Sequence, residues 1–205
     1  MAKAVARLGR VLQDVATALG STSVKPAFAV VGGLAVSARV EPRFTRDVDL
    51  AVATSGDVEA EAVVHQLRGV GYRVLQAFEH DSGRMATVRL LPRGGRADQV
   101  VVDLLFASSG IEPEVVQHAD VIEVLPGISL PVASIGHLIA LKLLSVEDRR
   151  PNDLADLVAL AGAADDVQWS TAREAAKVLT ARGFHRSRDL LAALADLAAR
   201  FRTVQ

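Results

Sequence analysis

The sequence contains no cysteine in its 205 residues, and aromatic side chains make up only 4% of it. The absence of cysteine excludes disulfide bonds and zinc sites built on thiolates. Because aromatic residues are few and 50% of the residues are apolar, a core must be built mainly from valine, leucine and alanine. The length suits one large domain or two small ones and allows a sizeable core.

A strong net charge and long apolar runs are also missing. The formal net charge is −1, so a site for a polyanion such as RNA must be a local patch on the surface. No apolar run reaches the roughly 18 residues that a membrane span needs. The N-terminal residues also lack the apolar stretch of a signal peptide. We therefore expect a cytoplasmic protein with no membrane contact.

A pair of glycines follows the first predicted strand. The apolar residues 28–31 predict a buried strand that ends at Gly32 and Gly33. A short helix after the glycines would offer its free N–H groups to a phosphate. A plain tight turn is the simpler interpretation of the pair, and the two glycines alone leave both open.

Two carboxylates lie on the second predicted strand. Asp47 and Asp49 are separated by one apolar residue, and side chains two apart on a strand share one face. Neighbouring carboxylates repel each other, and a hard cation bound between them relieves the repulsion. The pair therefore predicts a metal site beside the glycines. If the strand has already begun at Thr45, Arg46 should point away from this site.

A third carboxylate interrupts a later apolar strand. Asp103 stands within the apolar residues 100–106, where a carboxylate is costly unless it is paired or binds a metal. It either lies at a strand end in solvent or serves as a third metal ligand on a neighbouring strand. We favour the second interpretation because Asp47 and Asp49 precede it.

From residue 134 onward the pattern predicts helices only. Lys142 is the single formal charge in the apolar residues 134–144. It either extends along the surface or points inward toward an anionic group. Asp153 and Asp156 follow, three residues apart on one helix face. Asp153 is typical of a helix cap, so Asp156 is the better functional candidate.

Two further helices are predicted, over roughly 170–182 and 186–203. Their basic residues and those of their connector form either a solvated face or a binding patch for an RNA backbone. These residues are Arg173, Lys177, Arg182, His185, Arg186 and Arg188.

Together, these motifs resemble the nucleotidyltransferase superfamily typified by DNA polymerase β. The resemblance rests on Gly32 and Gly33, on the segment Asp47-Val48-Asp49-Leu50, and on Asp103. It implies an α+β nucleotidyltransferase fold with a mixed sheet flanked by helices. We expect this core domain over residues 1–132 and a C-terminal helical bundle, as a second domain, over residues 133–205.

Several segments also look like the AbiEii nucleotidyltransferase toxins, a group that includes the MenT-type toxins. They are residues 43–49, 131–134, 141–144 and 150–157. The resemblance spans about residues 28–160 and implies a toxin with a cognate antitoxin. Its MenT branch implies transfer of pyrimidine nucleotides, with CTP favoured, to the 3′ end of tRNA, which blocks aminoacylation and translation. The short charged segment 147–150 leaves open whether Asp153 or Asp156 is the family's functional acid.

The expected chemistry is Mg²⁺-dependent transfer from an NTP, with two ions held by Asp47, Asp49 and Asp103. Asp103 is suited to accept the proton of the attacking hydroxyl. The expected catalytic residues are Asp47, Asp49, Asp103, Lys142 and Asp156, and the expected nucleotide-binding residues are Gly32, Gly33, Arg43, Thr45, Lys142 and Asp153.

Other functions compete with this one. An enzyme of the same fold could modify a small molecule such as an antibiotic, and an acidic pocket with aromatic stacking platforms would favour it. A protein AMPylase is a related alternative. A catalytically inactive antitoxin or regulator is a third, but the three intact carboxylates argue against it.

Overall fold

The computed structural model describes residues 2–40, 43, 45–80, 83–95, 100–145 and 151–202. The helices in these ranges are α1 Ala2–Ser21, α2 Gly32–Arg39, α3 Asp57–Gly69, α4 Glu112–Gln117, α5 Ile135–Ser145, α6 Pro151–Ala163, α7 Asp166–Ala181 and α8 Leu190–Arg202. The strands are β1 Phe28–Val31, β2 Asp47–Val52, β3 Arg73–Glu79, β4 Met85–Leu91, β5 Val101–Leu105, β6 Asp120–Leu125 and β7 Ile128–Val132.

These strands form one mixed sheet in the order β3-β4-β5-β2-β1-β7-β6. β2 pairs with β5 in parallel and with β1 in antiparallel orientation, and β1 pairs in parallel with β7. β3 and β4 form an antiparallel pair that adds to the outer side of β5. As a result, β2 and β5 are neighbours at the centre of the sheet although two strands separate them along the chain.

Alternation along β2 separates its apolar and acidic side chains. Val48 and Leu50 are fully buried in the core, and Asp47 and Asp49 lie on the opposite face because successive side chains alternate. On α1, the buried leucine and valine residues Leu8, Leu12, Val15 and Leu19 recur at helical spacing, which places one apolar stripe of the helix against the core.

The helices α5 to α8 follow the last strand of the sheet. α5 packs against α6, α7 and α8, and α2 contacts α5 and α6. The predicted mixed sheet flanked by helices, with helices at its C-terminal side, is therefore confirmed. One cluster of buried apolar residues includes members from both sides of residue 132, and the division into two domains there stays a prediction. In the described ranges, no helix has the length and apolar character to cross a membrane.

Candidate active site

A cavity of about 1130 Å³ lies between the sheet and the C-terminal helices. Sheet residues at one wall include Asp47, Asp49 and Asp103, and α5 and α6 contribute Lys142 and Asp153. Sites for a single small molecule commonly measure roughly 300–1,000 Å³. The cavity is therefore large enough for a nucleotide together with part of a second substrate.

The sheet brings three predicted carboxylates together. Asp49 on β2 is the in-register partner of Asp103 on parallel β5, so their side chains leave the same face of the sheet. Asp47 lies two residues before Asp49 on that face. Asp103 stands in the middle of β5 and is 7% exposed, which rules out a solvated position at a strand end.

Among these carboxylates, Asp49 has a strongly shifted pKa. Burial, together with the charges of Asp103 and Asp47, raises the pKa of Asp49 from its ordinary 3.8 to about 7. Lys142 and Arg89 oppose the shift, but the pKa remains far above the ordinary 3.8. Repulsion among the carboxylates adds to the effect of burial, and a divalent cation would offset that repulsion.

Arg89 on β4 is a site residue that the sequence analysis missed. It lies opposite Asp103 in the antiparallel β4–β5 pair. Its Nε and Nη2 donate to the two carboxylate oxygens of Asp103 at 2.8 and 2.6 Å, which is the bidentate geometry of strong ion pairs. The sequence feature that could have identified Arg89 is its position as a charged residue between two apolar ones, Val88 and Leu90, which are buried.

This ion pair bears on the expected metal site. Both oxygens of Asp103 accept hydrogen bonds from Arg89, and no group of three acidic or histidine side chains in the described ranges is arranged to hold a metal ion. Asp47 and Asp49 are the residues that would hold a single divalent cation, and triphosphate oxygens and water would complete its ligands. A second ion held by Asp103 stays a prediction.

A second acidic cluster lies on the helical side. Asp156, which is 2% exposed, accepts from Arg43 Nε at 2.5 Å and from Arg43 Nη2 at 2.6 Å. Lys142 Nζ lies 2.6 Å from Asp153 Oδ1 and 2.7 Å from Asp156 Oδ2. Lys142 is 8% exposed and points inward to these carboxylates instead of extending along the surface.

The pKa shift in this cluster runs in the opposite direction to the shift of Asp49 on the sheet. Burial by itself would raise the pKa of Asp156, but hydrogen bonds from Arg43 and Lys142 hold it below its ordinary value. Asp153 Oδ2 is buried and has no hydrogen-bond partner in the described part of the chain.

The two glycines lie directly beneath these clusters. The helix expected after them begins at Gly32, which has a φ of 63°, a conformation that favours glycine. A Cβ on Gly32 would collide with the carboxylate of Asp49, and one on Gly33 would lie 2.5 Å from Arg43 Nη2. The glycines therefore allow Asp49 and Arg43 to lie against the start of α2.

The residues just before β2 also reach the cavity. Thr45 Oγ1 accepts a hydrogen bond from Asp47 N at 3.4 Å, and Thr45 and Arg46 both line the cavity. Arg46 was expected to point away only if the strand had begun at Thr45, and that condition is not met because β2 begins at Asp47. Phe44 and the charged segment 147–150 lie outside the described residues.

The far wall of the cavity comes from two segments that the sequence analysis did not connect. The end of β3 and the following residue contribute Phe78, Glu79 and His80, and the α7–α8 connector contributes Phe184 and Arg186. The remaining basic residues named for the C-terminal helices do not line the cavity. Of these, Lys177 pairs with Glu174 on the same helix.

Comparison with known proteins agrees with this geometry. The family described as "Nucleotidyl transferase AbiEii toxin, Type IV TA system" matches residues 16–203. No curated protein matches the chain. An antigenic nucleotidyltransferase-like protein from Paracoccidioides brasiliensis is 17% identical, with a TM-score of 0.50 and coverage of 90% of each chain. At this identity the likeness bears on the fold alone.

A further solved structure, ANT(2")-Ia in complex with adenylyl-2"-tobramycin, is also 17% identical. Coverage is 95% of this chain and 97% of that chain, and the TM-score is 0.45. At that score the likeness adds nothing to the argument about function.

Proposed function

Because this chain belongs to the AbiEii nucleotidyltransferase toxin family, we propose that it transfers nucleotides from an NTP to the 3′ end of tRNA. We favour a pyrimidine nucleotide, with CTP first. An extended 3′ end would block aminoacylation and translation, and a cognate antitoxin would prevent this. The observation that carries the proposal is the in-register pairing of Asp49 with Asp103, with Asp47 on the same face.

The carboxylates of Asp47 and Asp49 are the proposed ligands of Mg²⁺. A bound Mg²⁺ ion neutralises phosphate charge and lowers the barrier to attack by a hydroxyl. The 3′ hydroxyl oxygen of the RNA bonds to the α-phosphorus, the bond from that phosphorus to the bridging oxygen breaks, and pyrophosphate leaves. Asp103 accepts the hydroxyl proton, and its bidentate pairing with Arg89 fixes the direction of its carboxylate.

The helical cluster would bind the nucleotide. Asp156 holds Arg43 and Lys142 at the cavity wall, where both can contact the triphosphate along with Thr45 and the start of α2. Asp153 Oδ2 has no hydrogen-bond partner in the described ranges, and a hydroxyl or amino group of the nucleotide would supply one. Asp156 thus acts through the two cations that it positions.

Transfer to RNA is tested by incubating the protein with Mg²⁺, total RNA and each α-labelled NTP in turn. The expected result is label in the tRNA band with CTP above the other nucleotides, and sequencing of RNA 3′ ends then identifies the added residues. Asp49→Asn protein is the matched control and should transfer nothing. Absence of labelled RNA with all four nucleotides would contradict the proposal.

Modification of a small molecule remains the second candidate because aromatic side chains reach the cavity. A cationic antibiotic, however, requires an acidic pocket. Five acidic side chains line the cavity, and five basic ones balance them. The acidic residues are Asp47, Asp49, Glu79, Asp103 and Asp153; the basic ones are Arg43, Arg46, Arg89, Lys142 and Arg186. Supplying an aminoglycoside in place of RNA in the same assay tests this candidate.

A further inference from the structure

We propose that Phe184, together with His80, forms a stacking platform for a nucleobase at the far wall of the cavity. The inference rests on the proposed function, since it supplies a base-binding subsite for that reaction. The nucleobase is either that of the NTP or that of the RNA 3′ end, and the experiment below distinguishes the two sources.

The two rings are already in contact. The centroids of His80 and Phe184 are 4.3 Å apart, and the ring planes are tilted by 30° to each other. Both residues are half-buried, and both line the cavity that contains Asp47 and Asp49. A base in the cavity can therefore add to a pair of rings that is already assembled.

The connector that carries Phe184 is anchored at both ends. Before Phe184, Arg182 donates to the carbonyl oxygen of Gly110 and to the carboxylate of Glu114. After it, Arg188 Nη1 donates to the carbonyl oxygen of Leu143 at 3.1 Å. These anchors fix the ring before any ligand binds, and a preformed platform reduces the ordering cost of binding.

The backbone around Phe184 is adapted to this position. Arg186 and Ser187 have φ values of 51° and 58°, which are unusual for residues other than glycine and concentrate at ligand sites. A Cβ on Gly110 would lie 2.5 Å from the Phe184 ring. The missing side chain at Gly110 therefore provides the room that the ring occupies.

Charge next to the platform suits a nucleotide. Arg186 lies two residues after Phe184 and lines the same cavity, where it can contact a phosphate. Aromatic rings bind bases of any sequence because every base has a π face. A platform and an adjacent arginine in one wall thus match the chemistry of a nucleotide unit.

The test is binding by full-length wild-type and Phe184→Leu proteins, measured by calorimetry with Mg²⁺. The ligands are α,β-methylene CTP, inorganic tripolyphosphate, a short RNA ending in CCA, and the same RNA without its 3′-terminal base. Phe184→Leu removes the ring and keeps an apolar side chain. Phe201→Leu, on α8, is the matched control, and Phe184→Trp tests whether another ring restores binding.

Stacking of the NTP base predicts roughly tenfold weaker binding of the CTP analogue by Phe184→Leu, with tripolyphosphate unchanged. Stacking of the acceptor base predicts the same loss for the intact RNA, with the RNA lacking its terminal base unchanged. Phe184→Trp should retain wild-type affinity in either case. His80→Leu should show a smaller loss and provides a second variant if Phe184→Leu does not fold.

Affinities for the CTP analogue and the intact RNA that stay within twofold of wild type would overturn the platform. An equal loss for base-containing and base-free ligands would also overturn it, since that result indicates general disruption of the cavity. Neither outcome depends on catalysis. A wild-type protein that binds these ligands but adds no nucleotide to RNA would contradict the proposed function and leave the result for Phe184 intact.

Discussion

Two acidic clusters lie beside the same cavity. The carboxylates of one outnumber their cationic partners, and those of the other are paired with cations. On the sheet, burial and the neighbouring charges of Asp103 and Asp47 raise the pKa of Asp49 to about 7. On the helical side, Asp156 accepts hydrogen bonds from Arg43 and Lys142, which keep its pKa below the ordinary value. An aspartate of the sheet cluster therefore lies among other negative charges, whereas Asp156 of the helical cluster is paired with positive ones.

The difference indicates separate roles for the two clusters. An excess of negative charge costs stability in the absence of a counterion, so the sheet cluster is suited to bind a cation. The helical cluster already contains its cations and is suited to hold Arg43 and Lys142 in place. The adjacent glycines connect the clusters, because Gly32 lies against Asp49 and Gly33 lies against the Arg43 guanidinium.

The largest expected effect follows from neutralising the sheet cluster. Asp49→Asn should reduce nucleotide transfer by about a thousandfold or more, because a charged ligand of the metal is lost. Its melting temperature should equal or exceed that of wild type, because repulsion with Asp47 and Asp103 falls. Transfer and thermal unfolding are measured on the same preparation, with Asp196→Asn on α8 as the control. Wild-type transfer activity in Asp49→Asn would contradict the metal-binding role that distinguishes the sheet cluster from the helical one.

Neutralising the helical cluster should have the reverse signature. Asp156→Asn removes the charge of a buried carboxylate that pairs with both Arg43 and Lys142, and breaking a buried pair costs about 3–5 kcal/mol of unfolding free energy. Urea denaturation measures this loss. Asp120→Asn breaks an exposed pair with Arg39 and should cost about 1 kcal/mol or less. Equal stability of the two variants would show that the helical cluster is not structural.

Measured without Mg²⁺, the pH dependence of the unfolding free energy should distinguish the contributions of the two clusters. The folded pKa of Asp49 is raised from 3.8 to about 7, so the folded state binds more protons than the unfolded one between these values. This group therefore lowers the unfolding free energy as pH rises from about 4 to 7, by an amount on the order of 4 kcal/mol. The folded pKa of Asp156 is lowered, so its contribution is lost as pH falls below 3.8.

Denaturation of wild type and Asp49→Asn from pH 4 to pH 8 measures the first of these slopes. The stability of the variant relative to wild type should rise with pH up to about 7 and then level off. If the difference in unfolding free energy between the two proteins is constant across this range, the pKa of Asp49 is not raised in the folded state.

The smallest effect is expected where the clusters meet. Gly33→Ala places a methyl group 2.5 Å from Arg43 Nη2, so the guanidinium must shift relative to Asp156. We expect roughly a fivefold to tenfold loss of transfer and about 1 kcal/mol of stability. Gly20→Ala, with nothing within 4 Å of the added group, should show neither loss. Unchanged transfer by Gly33→Ala would indicate that the position of Arg43 is unimportant.

Local sequence patterns predicted the elements better than the contacts between them. The alternation around Val48 and Leu50 fixed the face of Asp47 and Asp49, because periodicity is a local property. The pairing of Asp49 with Asp103 could only be favoured, since periodicity does not determine which strands are neighbours. The shared motifs supplied the family, and its match over residues 16–203 confirmed that assignment.

The partners of the predicted residues were harder to foresee. Arg43 and Asp156 are 113 residues apart, and no spacing rule connects a residue before a strand with one on a distant helix. Arg89 was overlooked because one charge in an apolar strand is also compatible with a solvated edge. His80 and Phe184 come into contact only through the tertiary fold, so no local sequence pattern predicts that contact.

The most direct measurement of the contrast between the clusters is the melting temperature as a function of Mg²⁺ concentration, with α,β-methylene CTP present. A ligand that binds only the folded state raises this temperature progressively with its concentration. Mg²⁺ should stabilise wild type and Asp156→Asn, and it should leave Asp49→Asn unchanged. An equal rise for Asp49→Asn and wild type would contradict the assignment of the metal to the sheet carboxylates.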